Sequence, residues 1–217
     1  MQIVGLTGLP RSGKDTLANL MVARHSWIRM AYAEPLYEEV AEAFGVTVVQ
    51  LLSNEWKTQP QARLVIDRCT DKEFFDVFEK AMDGDCLYRY NTSRTILQLW
   101  GTEYRRLSCR QSYWTEKMEQ RIMEAYHNGH SRIVVSDVRV FLDGQGQPVY
   151  DEFECLDSLA FELGGSMKLV EVLREGTTSN GHSSDSRFPD HLIYAKLNNN
   201  RTPEELFFQA GKMGIVT

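Results

Sequence analysis

The segment GLTGLPRSGKDT, residues 5–16, constrains the fold of this chain more than any other part of the sequence. Gly8, Gly13 and Lys14 have the spacing of a phosphate-binding loop, in which backbone N–H groups surround phosphate oxygens and the lysine reaches the terminal phosphates. The strand-like stretch QIVGLT precedes the loop, and the helical stretch TLANLMVAR follows it. Because a helix N-terminus favours a bound anion, this context indicates a phosphate site rather than an ordinary glycine-rich turn.

The loop departs from its usual form at Asp15, which stands where a serine or threonine normally holds magnesium. A carboxylate beside a polyphosphate is repelled unless a cation or a hydrogen-bond donor lies between them. We therefore predict that Asp15 lies near Mg²⁺ or accepts a hydrogen bond from a hydroxyl of a second substrate. Thr16 supplies a hydroxyl one position later, for magnesium or for packing at the helix start. A purely structural role for Asp15 as a helix cap stays open.

Strand-like and helix-like segments alternate along the chain, which predicts an α/β fold with a mostly parallel central sheet and helices on both faces. The 217 residues, 42% of them apolar, fit a single domain with a sizeable core. We interpret the polar stretch 46–93 as a helical insertion that caps the acceptor site, and residues 174–190 as a mobile lid. The segment FLDGQGQP is predicted to be a turn-rich loop.

Composition favours a soluble cytoplasmic protein, in the host cytoplasm if the protein is viral, with no membrane partner. No stretch approaches the roughly 18 apolar residues of a spanning helix, and no leader pattern begins the chain. The four cysteines show neither a CxxC pair nor zinc-finger spacing, and no histidine has metal-ligand spacing, so we predict reduced thiols and no zinc. The net charge of −6 disfavours a nucleic-acid partner, although a local basic groove is compatible with it.

A second acid, Asp137, ends the strand-like stretch IVVSD, at the sheet edge where α/β proteins bind ligands. It is predicted to assist a metal or to orient an acceptor. Arg139, two residues later, is a candidate substrate contact or a surface ion pair. Since phosphoryl transfer depends on positioning and charge neutralisation, arginines from several segments should converge on the phosphates. The candidates are Arg11, Arg94, Arg105, Arg106 and Arg174. Trp100, Tyr104, Tyr113 and Trp114 lie among them, to stack on a base or to pack helices.

Seven segments resemble, in the same order, the deoxynucleoside monophosphate kinases of T-even and related bacteriophages. They are GLPRSGKDTLAN, AEPLYEEVAEAFGV, RTILQLWGTE, YWTEKM, VVSDVR, LREGTTSNGHSSD and NNNRTPEELF. The resemblance covers most of the chain, and its most specific parts are the loop ending in GKDT and the LQLWGTE segment. It implies a three-layer P-loop kinase fold, often dimeric, in which ATP with Mg²⁺ transfers its γ-phosphoryl group to a deoxynucleoside monophosphate.

The resemblance also implies roles for the residues at matching positions. The residues that would hold ATP are Gly8, Arg11, Ser12, Gly13, Lys14 and Thr16. Those implied at the acceptor pocket are Asp15, Arg94, Gly101, Thr102, Glu103 and Trp114, and Arg139 is added to them as a candidate because it follows Asp137. Magnesium would lie near Asp15, Thr16 and Asp137, and the catalytic set would be Lys14, Asp15, Asp137 and Arg174. The GKDT ending is similar to the family's own form of the loop, so Asp15 is interpreted as an adaptation.

The sequence departs from the family pattern in three places. FLDGQGQPVYDEF, residues 141–153, stands where the family has a short acidic turn; NNNR, residues 198–201, replaces NDG; and HSSD, residues 182–185, replaces the lid's H-x-[ST]-E. These changes bear on base choice and on lid chemistry.

Two other functions stay open at this point. One is a kinase that phosphorylates 5-hydroxymethyluracil within phage DNA, where Asp15 or Asp137 would serve as general base because a hydroxymethyl group must lose a proton. The other is a non-catalytic regulator that binds ATP without turnover.

Overall fold

The structure, a computed structural model, describes residues 1–82, 88–143, 145–178 and 187–216. Its strands are β1 (Gln2–Thr7), β2 (Ile28–Met30), β3 (Arg132–Val135), β4 (Phe141–Leu142), β5 (Pro148–Val149), β6 (Ser166–Leu173) and β7 (Ala195–Asn198). Its α-helices are α1 (Lys14–His25), α2 (Ala33–Phe44), α3 (Val48–Leu52), α4 (Asn54–Thr58), α5 (Lys72–Ala81), α6 (Ser93–Gln98), α7 (Tyr113–His127), α8 (Asp151–Glu162) and α9 (Pro203–Lys212). A π-helix spans Leu99–Cys109, and short 3₁₀ helices span Ile66–Arg68 and Asp190–Leu192. In these described ranges, no helix combines the length and the apolar character that crossing a bilayer requires.

The chain divides into two compact units. The first comprises Met1–Tyr32 and Met118–Thr217, and the second comprises Ala33–Lys117. One boundary therefore falls directly before α2, and the other falls inside α7. The described residues of the predicted insertion 46–93, which are 46–82 and 88–93, lie within the second unit. Its role as a cap over the acceptor stays a prediction.

A five-stranded parallel sheet forms the centre of the first unit, in the order β2-β3-β1-β6-β7. Val4 and Leu6 of β1 pack in a buried apolar cluster with Leu17 and Met21 of α1 and with Leu206 of α9. Helix α8 contacts β1 and β6 as well. The predicted α/β fold with a mostly parallel central sheet is therefore confirmed.

The segment 141–149 differs from its prediction. Phe141 pairs with Val149 and Leu142 with Pro148, so β4 and β5 form a small antiparallel hairpin. Asp143 Oδ1 accepts a hydrogen bond of 2.8 Å from the backbone N–H of Gln147, which closes the turn. The prediction of a turn-rich loop agrees with the turn that Asp143 closes, but it was wrong at both ends, because strands of two residues are too short to leave an alternating pattern in the sequence.

An aromatic core lies within the second unit. Phe74 of α5 is fully buried, and its ring centroid lies 4.6 Å from that of Trp100 and 5.7 Å from that of Tyr104. Trp100 and Tyr104 are only 1% and 2% exposed. Of the two interpretations of these aromatic residues, helix packing is therefore the one that the structure supports.

The Glu39 carboxylate accepts hydrogen bonds from three side chains of the second unit. It accepts hydrogen bonds from Trp100 Nε1 at 3.0 Å, from Arg105 Nε at 2.8 Å and from the Tyr113 hydroxyl at 2.5 Å. Arg105 also lies 3.6 Å from Asp71, and its side chain is only 16% exposed. Burial and the hydrogen bond to Glu39 raise the pKa of Tyr113 to about 12, so the hydroxyl stays a donor. Arg105 thus serves to hold the helices of this unit together.

Replacing Glu39 with alanine is expected to lower the free energy of unfolding by about 1–3 kcal/mol, because the buried Trp100 and the half-buried Arg105 and Tyr113 lose their shared acceptor, and Arg105 keeps only the more distant Asp71 carboxylate. The matched control is Glu204→Ala, because Glu204 forms an ion pair with Arg24 at 3.6 Å in which both side chains are exposed. Since solvent screens such a pair, the change in the free energy of unfolding should stay within about 0.5 kcal/mol. Urea unfolding followed by tryptophan fluorescence measures both. Equal losses in the two variants would contradict a structural role for Glu39.

Candidate active site

The phosphate loop, residues 8–14, turns between β1 and α1. Lys14 Nζ donates hydrogen bonds to the carbonyl oxygens of Gly8 at 2.7 Å and Leu9 at 2.9 Å. Helix α1 begins at Lys14 with Gly13 in the N-cap position, and no side chain caps it. The cap role considered for Asp15 is therefore wrong, and the first backbone N–H groups of α1 face the region where an anion would bind.

The two motif glycines are required by close packing as well as by backbone conformation. Gly8 and Gly13 have φ values of 130° and 108°, which residues with a Cβ rarely adopt. A Cβ at Gly8 would overlap the carbonyl oxygen of Val172, and one at Gly13 would overlap the side-chain amide of Asn199. The loop therefore fits against β6 and the segment after β7 only with glycine at these positions.

Asn199 fastens the loop to the sheet. Its side-chain Nδ2 donates to the carbonyl oxygen of Ser12 at 2.8 Å, and its backbone N–H donates to that of Leu173 at 2.7 Å. The Ser12 hydroxyl is buried and makes no hydrogen bond within the described residues. Because buried polar atoms normally have partners, this orphaned hydroxyl fits a loop that binds an oxyanion.

A chain of polar contacts joins the loop to the carboxyl ends of β2 and β3. Arg29 Nη2 donates to Asp15 Oδ1 at 2.8 Å, and Arg29 Nε donates to Ser136 Oγ at 3.2 Å. The next residue, Asp137, accepts a hydrogen bond of 2.7 Å from the backbone N–H of Tyr32. These contacts connect Asp15 to the carboxyl ends of β2 and β3, the end of the sheet at which the sequence placed Asp137.

Glu152 supports the backbone behind Asp137. Its carboxylate is buried, with the residue 2% exposed, and accepts a hydrogen bond of 2.8 Å from the backbone N–H of Arg139. Its carbonyl oxygen accepts from the Tyr32 hydroxyl at 2.9 Å. Burial raises the pKa of Tyr32 well above its usual value, so this hydroxyl stays protonated. The Arg139 side chain is exposed, and its contact with a substrate stays a prediction.

A cavity of about 400 Å³ lies at the carboxyl ends of β6 and β7, beside the phosphate loop. Its lining includes Leu9, Glu171, Arg174, Arg187, Asn198 and Asn200. Glu171 is buried and lies 3.8 Å from both Arg187 Nε and Lys196 Nζ. The volume is within the range of roughly 300–1,000 Å³ typical of small-molecule sites. Arg174, predicted at the edge of the lid, lies on this cavity, whereas the HSSD segment at 182–185 lies outside the described residues.

The residues implied at the acceptor pocket belong to the second unit, except for Asp15 and Arg139. Gly101, Thr102 and Glu103 lie on the π-helix, a geometry that often marks functional sites. Trp114, at the start of α7, is 4% exposed, and its Nε1 donates to the carbonyl oxygen of Gly101 at 2.9 Å. Arg94 is exposed on α6. The structure brings Gly101 and Trp114 together, and the substrate contacts of all these residues stay predictions.

The oxygen donors near the loop fit a magnesium ion. Magnesium takes one or two protein carboxylates and completes its shell with phosphate oxygens and water. Asp15, Thr16 and Asp137 offer hard oxygen donors of this type. Over the described ranges, no three His, Cys, Asp or Glu side chains cluster as a metal site.

Sequence reasoning missed Arg29 and Glu152, and it assigned no role to Asn199. Arg29 is one basic residue in a short edge strand, and Glu152 is one of several acids at the start of a helix. Neither context distinguishes a site residue from a solvated surface charge. Asn199 lies in the NNNR segment, directly after a predicted strand. Ligand-binding residues of α/β proteins often lie at such strand ends, so this position was a usable signal for a role at the site.

A phosphate loop between the central strand of a parallel sheet and the following helix defines a P-loop α/β protein. Two viral proteins are similar to this chain over most of its length. The deoxynucleoside-5′-monophosphate kinase of Escherichia phage T5 is 26% identical over 235 aligned positions, covering 91% of this chain and 89% of the relative. A protein of Acanthamoeba polyphaga mimivirus, provisionally named a deoxynucleotide monophosphate kinase, is 28% identical over 216 positions, covering 96% and 94%. The predicted resemblance to viral kinases of this type is confirmed.

No protein-family model matches the chain. Solved structures align with nearly all of it, at low similarity. A sugar kinase from Janibacter sp. HTCC2649 is 12% identical with a TM-score of 0.43, covering 100% of this chain and 95% of that one. A variant of the APS kinase of Mycobacterium tuberculosis is 10% identical with a TM-score of 0.44, covering 98% and 95%.

Replacing Gly13 with alanine is expected to weaken the binding of ATP with Mg²⁺ at least about tenfold, because the new Cβ displaces the Asn199 amide and reshapes the loop. Gly129→Ala is the matched control, since Gly129 also has a positive φ, of 85°, but space for a Cβ. The control should lose about 1 kcal/mol of stability and keep its ATP affinity. Isothermal titration calorimetry measures the affinity, and unchanged binding by the Gly13 variant would contradict the loop assignment.

Proposed function

We propose that this protein is an ATP-dependent kinase that transfers the γ-phosphoryl group to a deoxynucleoside 5′-monophosphate. The observation that carries the proposal is the phosphate loop, residues 8–14, set between β1 and α1 of a chain similar over most of its length to two viral proteins with this name. The parallel sheet and the cavity beside the loop support it.

The phosphates of ATP would lie at the phosphate loop. The N-terminus of α1 supplies backbone N–H groups there, and Lys14 supplies a positive charge. The cavity that begins at Leu9 would take the rest of the nucleotide, with Arg174 and Asn200 on its walls. This placement supports ATP as the donor because the loop and the cavity are adjacent.

The reaction needs little covalent chemistry from the protein. A phosphate oxygen of the acceptor forms a new bond to the γ-phosphorus, the bond to the bridging oxygen breaks, and that oxygen leaves with ADP. The acceptor phosphate is already anionic, so no general base is required. The protein's task is to align the two nucleotides and to neutralise charge, which Lys14 and the lid residue Arg174 would do.

The carboxylates would act beside this alignment. Asp15 would accept a hydrogen bond from a hydroxyl of the acceptor, and Asp137, held by the backbone of Tyr32, would lie toward the metal with Thr16. Bound Mg²⁺ would neutralise phosphate charge and hold the phosphate oxygens in place.

A panel of deoxynucleoside monophosphates, assayed for acceptor-dependent ADP release, tests the proposal. The wild-type protein should release ADP with at least one of them. Lys14→Ala should reduce the rate about 100-fold or more, because one fixed charge on the transferring group is lost. Lys212→Ala, which removes a surface lysine beside Phe208, is the control and should keep the wild-type rate.

The same assay distinguishes the proposed nucleotide kinase from a nucleotide-binding regulator and from a DNA kinase. Tight binding of ATP without ADP release in the presence of any monophosphate would contradict the kinase and favour a nucleotide-binding regulator. Release only with DNA that contains 5-hydroxymethyluracil would favour a DNA kinase. That second outcome would also require steep salt dependence, which the net charge of −6 does not favour.

A further inference from the structure

Arg29 is the described residue that bonds directly to the unusual acid of the phosphate loop. Its Nη2 lies 2.8 Å from Asp15 Oδ1, and the two side chains are 34% and 72% exposed. Asp15 sits in the first turn of α1, next to Lys14, and Arg29 comes from the edge strand β2. The acid of the loop therefore forms an ion pair with a separate element of the sheet.

The direction of the Arg29 side chain is fixed from a second side. Its Nε donates to the hydroxyl of Ser136, which is 1% exposed and directly precedes Asp137. The backbone N–H of Ser136 in turn donates to the carbonyl oxygen of Met30 at 3.0 Å. Because a guanidinium is a rigid planar fork, bonds at Nε and Nη2 leave it one orientation. Arg29 is thus anchored to the sheet and presents one donor to the loop.

The charges around the loop give this anchoring a function. Phosphates bound at residues 8–14 would repel the Asp15 carboxylate, because two negative charges would then lie close together. A guanidinium at hydrogen-bond distance cancels that charge and still leaves the second carboxylate oxygen of Asp15 to accept a hydrogen bond. The pair therefore allows an acid to occupy a position where phosphates normally exclude one.

We propose that Arg29 is a positioning residue of the phosphoryl-transfer site, which holds the Asp15 carboxylate in place and neutralises it beside the phosphates of ATP. The inference rests on the proposed function, since it requires phosphates at the loop. It extends that function, because Arg29 belongs to no segment that carries the family resemblance. Arg29 acts through Asp15, so its effect should depend on the presence of that acid.

A double-mutant cycle with Arg29→Ala, Asp15→Ala and the double variant tests this dependence. Arg29→Ala should weaken the binding of ATP with Mg²⁺ about tenfold, because Asp15 then repels the phosphates without compensation. Adding Asp15→Ala to it should restore the affinity to within about twofold of Asp15→Ala alone. Isothermal titration calorimetry measures all four proteins and requires no turnover. Arg29→Lys, which keeps the charge but not the fork, should lie between the wild type and Arg29→Ala.

The control is Arg24→Ala, which removes an arginine of the same unit whose partner, Glu204, is 3.6 Å away. It should leave ATP affinity unchanged. Additive losses in the double variant would overturn the inference, because Arg29 would then act without Asp15. The inference would also be overturned if Arg29→Ala lowered the melting temperature and the double variant with Asp15→Ala stayed equally low, because Arg29 would then have a general structural role. A wild-type protein that binds no ATP would instead contradict the proposed function.

Discussion

The phosphate loop keeps its shape because three segments meet there with no Cβ atom between them. The carbonyl oxygen of Val172 lies against Gly8 from one side, and the amide of Asn199 lies against Gly13 from another. Arg11 holds a left-handed backbone conformation with φ of 64°, a strain of about 1 kcal/mol that the surrounding contacts must offset. This packing is possible because β1 lies between β3 and β6, so that its loop is within reach of neighbouring strand ends. The central place of β1 in a parallel sheet is therefore the constraint on which the site depends.

Much of this fold could be predicted from the sequence, because its main elements leave periodic patterns. The strands β1 and β3 contain short apolar runs, β6 is a mostly apolar strand interrupted by Lys168 and Glu171, and α9 begins with a capping box at Thr202 followed by Pro203. The π-helix at Leu99–Cys109 could not be predicted, since a helical run does not show which hydrogen-bond spacing it will adopt. The loop motif located the lysine and the glycines, but not the residues that hold them.

The arginines and aromatic residues of the second unit show why composition alone does not identify a site. Arg105 is bound by two carboxylates, Glu39 and Asp71, which precede it by 66 and 34 residues. Asp71 also caps α5 and accepts a hydrogen bond from Tyr104. A basic residue among aromatic ones has the same sequence pattern whether it contacts a phosphate or closes a core. The residues that contact the arginine in the folded protein decide between these two roles. They are too distant in the sequence to be recognised in a local pattern.

The ion pair between Asp15 and Arg29 also restricts how this loop can change over evolutionary time. A substitution of Asp15 by serine would give the common form of the loop, but it would leave the Arg29 guanidinium bound only to a neutral hydroxyl. A substitution of Arg29 would leave an acid facing the phosphates. Each single step passes through a charge imbalance, so the two forms of the loop are separated by two coupled changes. Among homologous chains, an acid at position 15 should therefore accompany a basic residue at position 29, although the two lie on different elements.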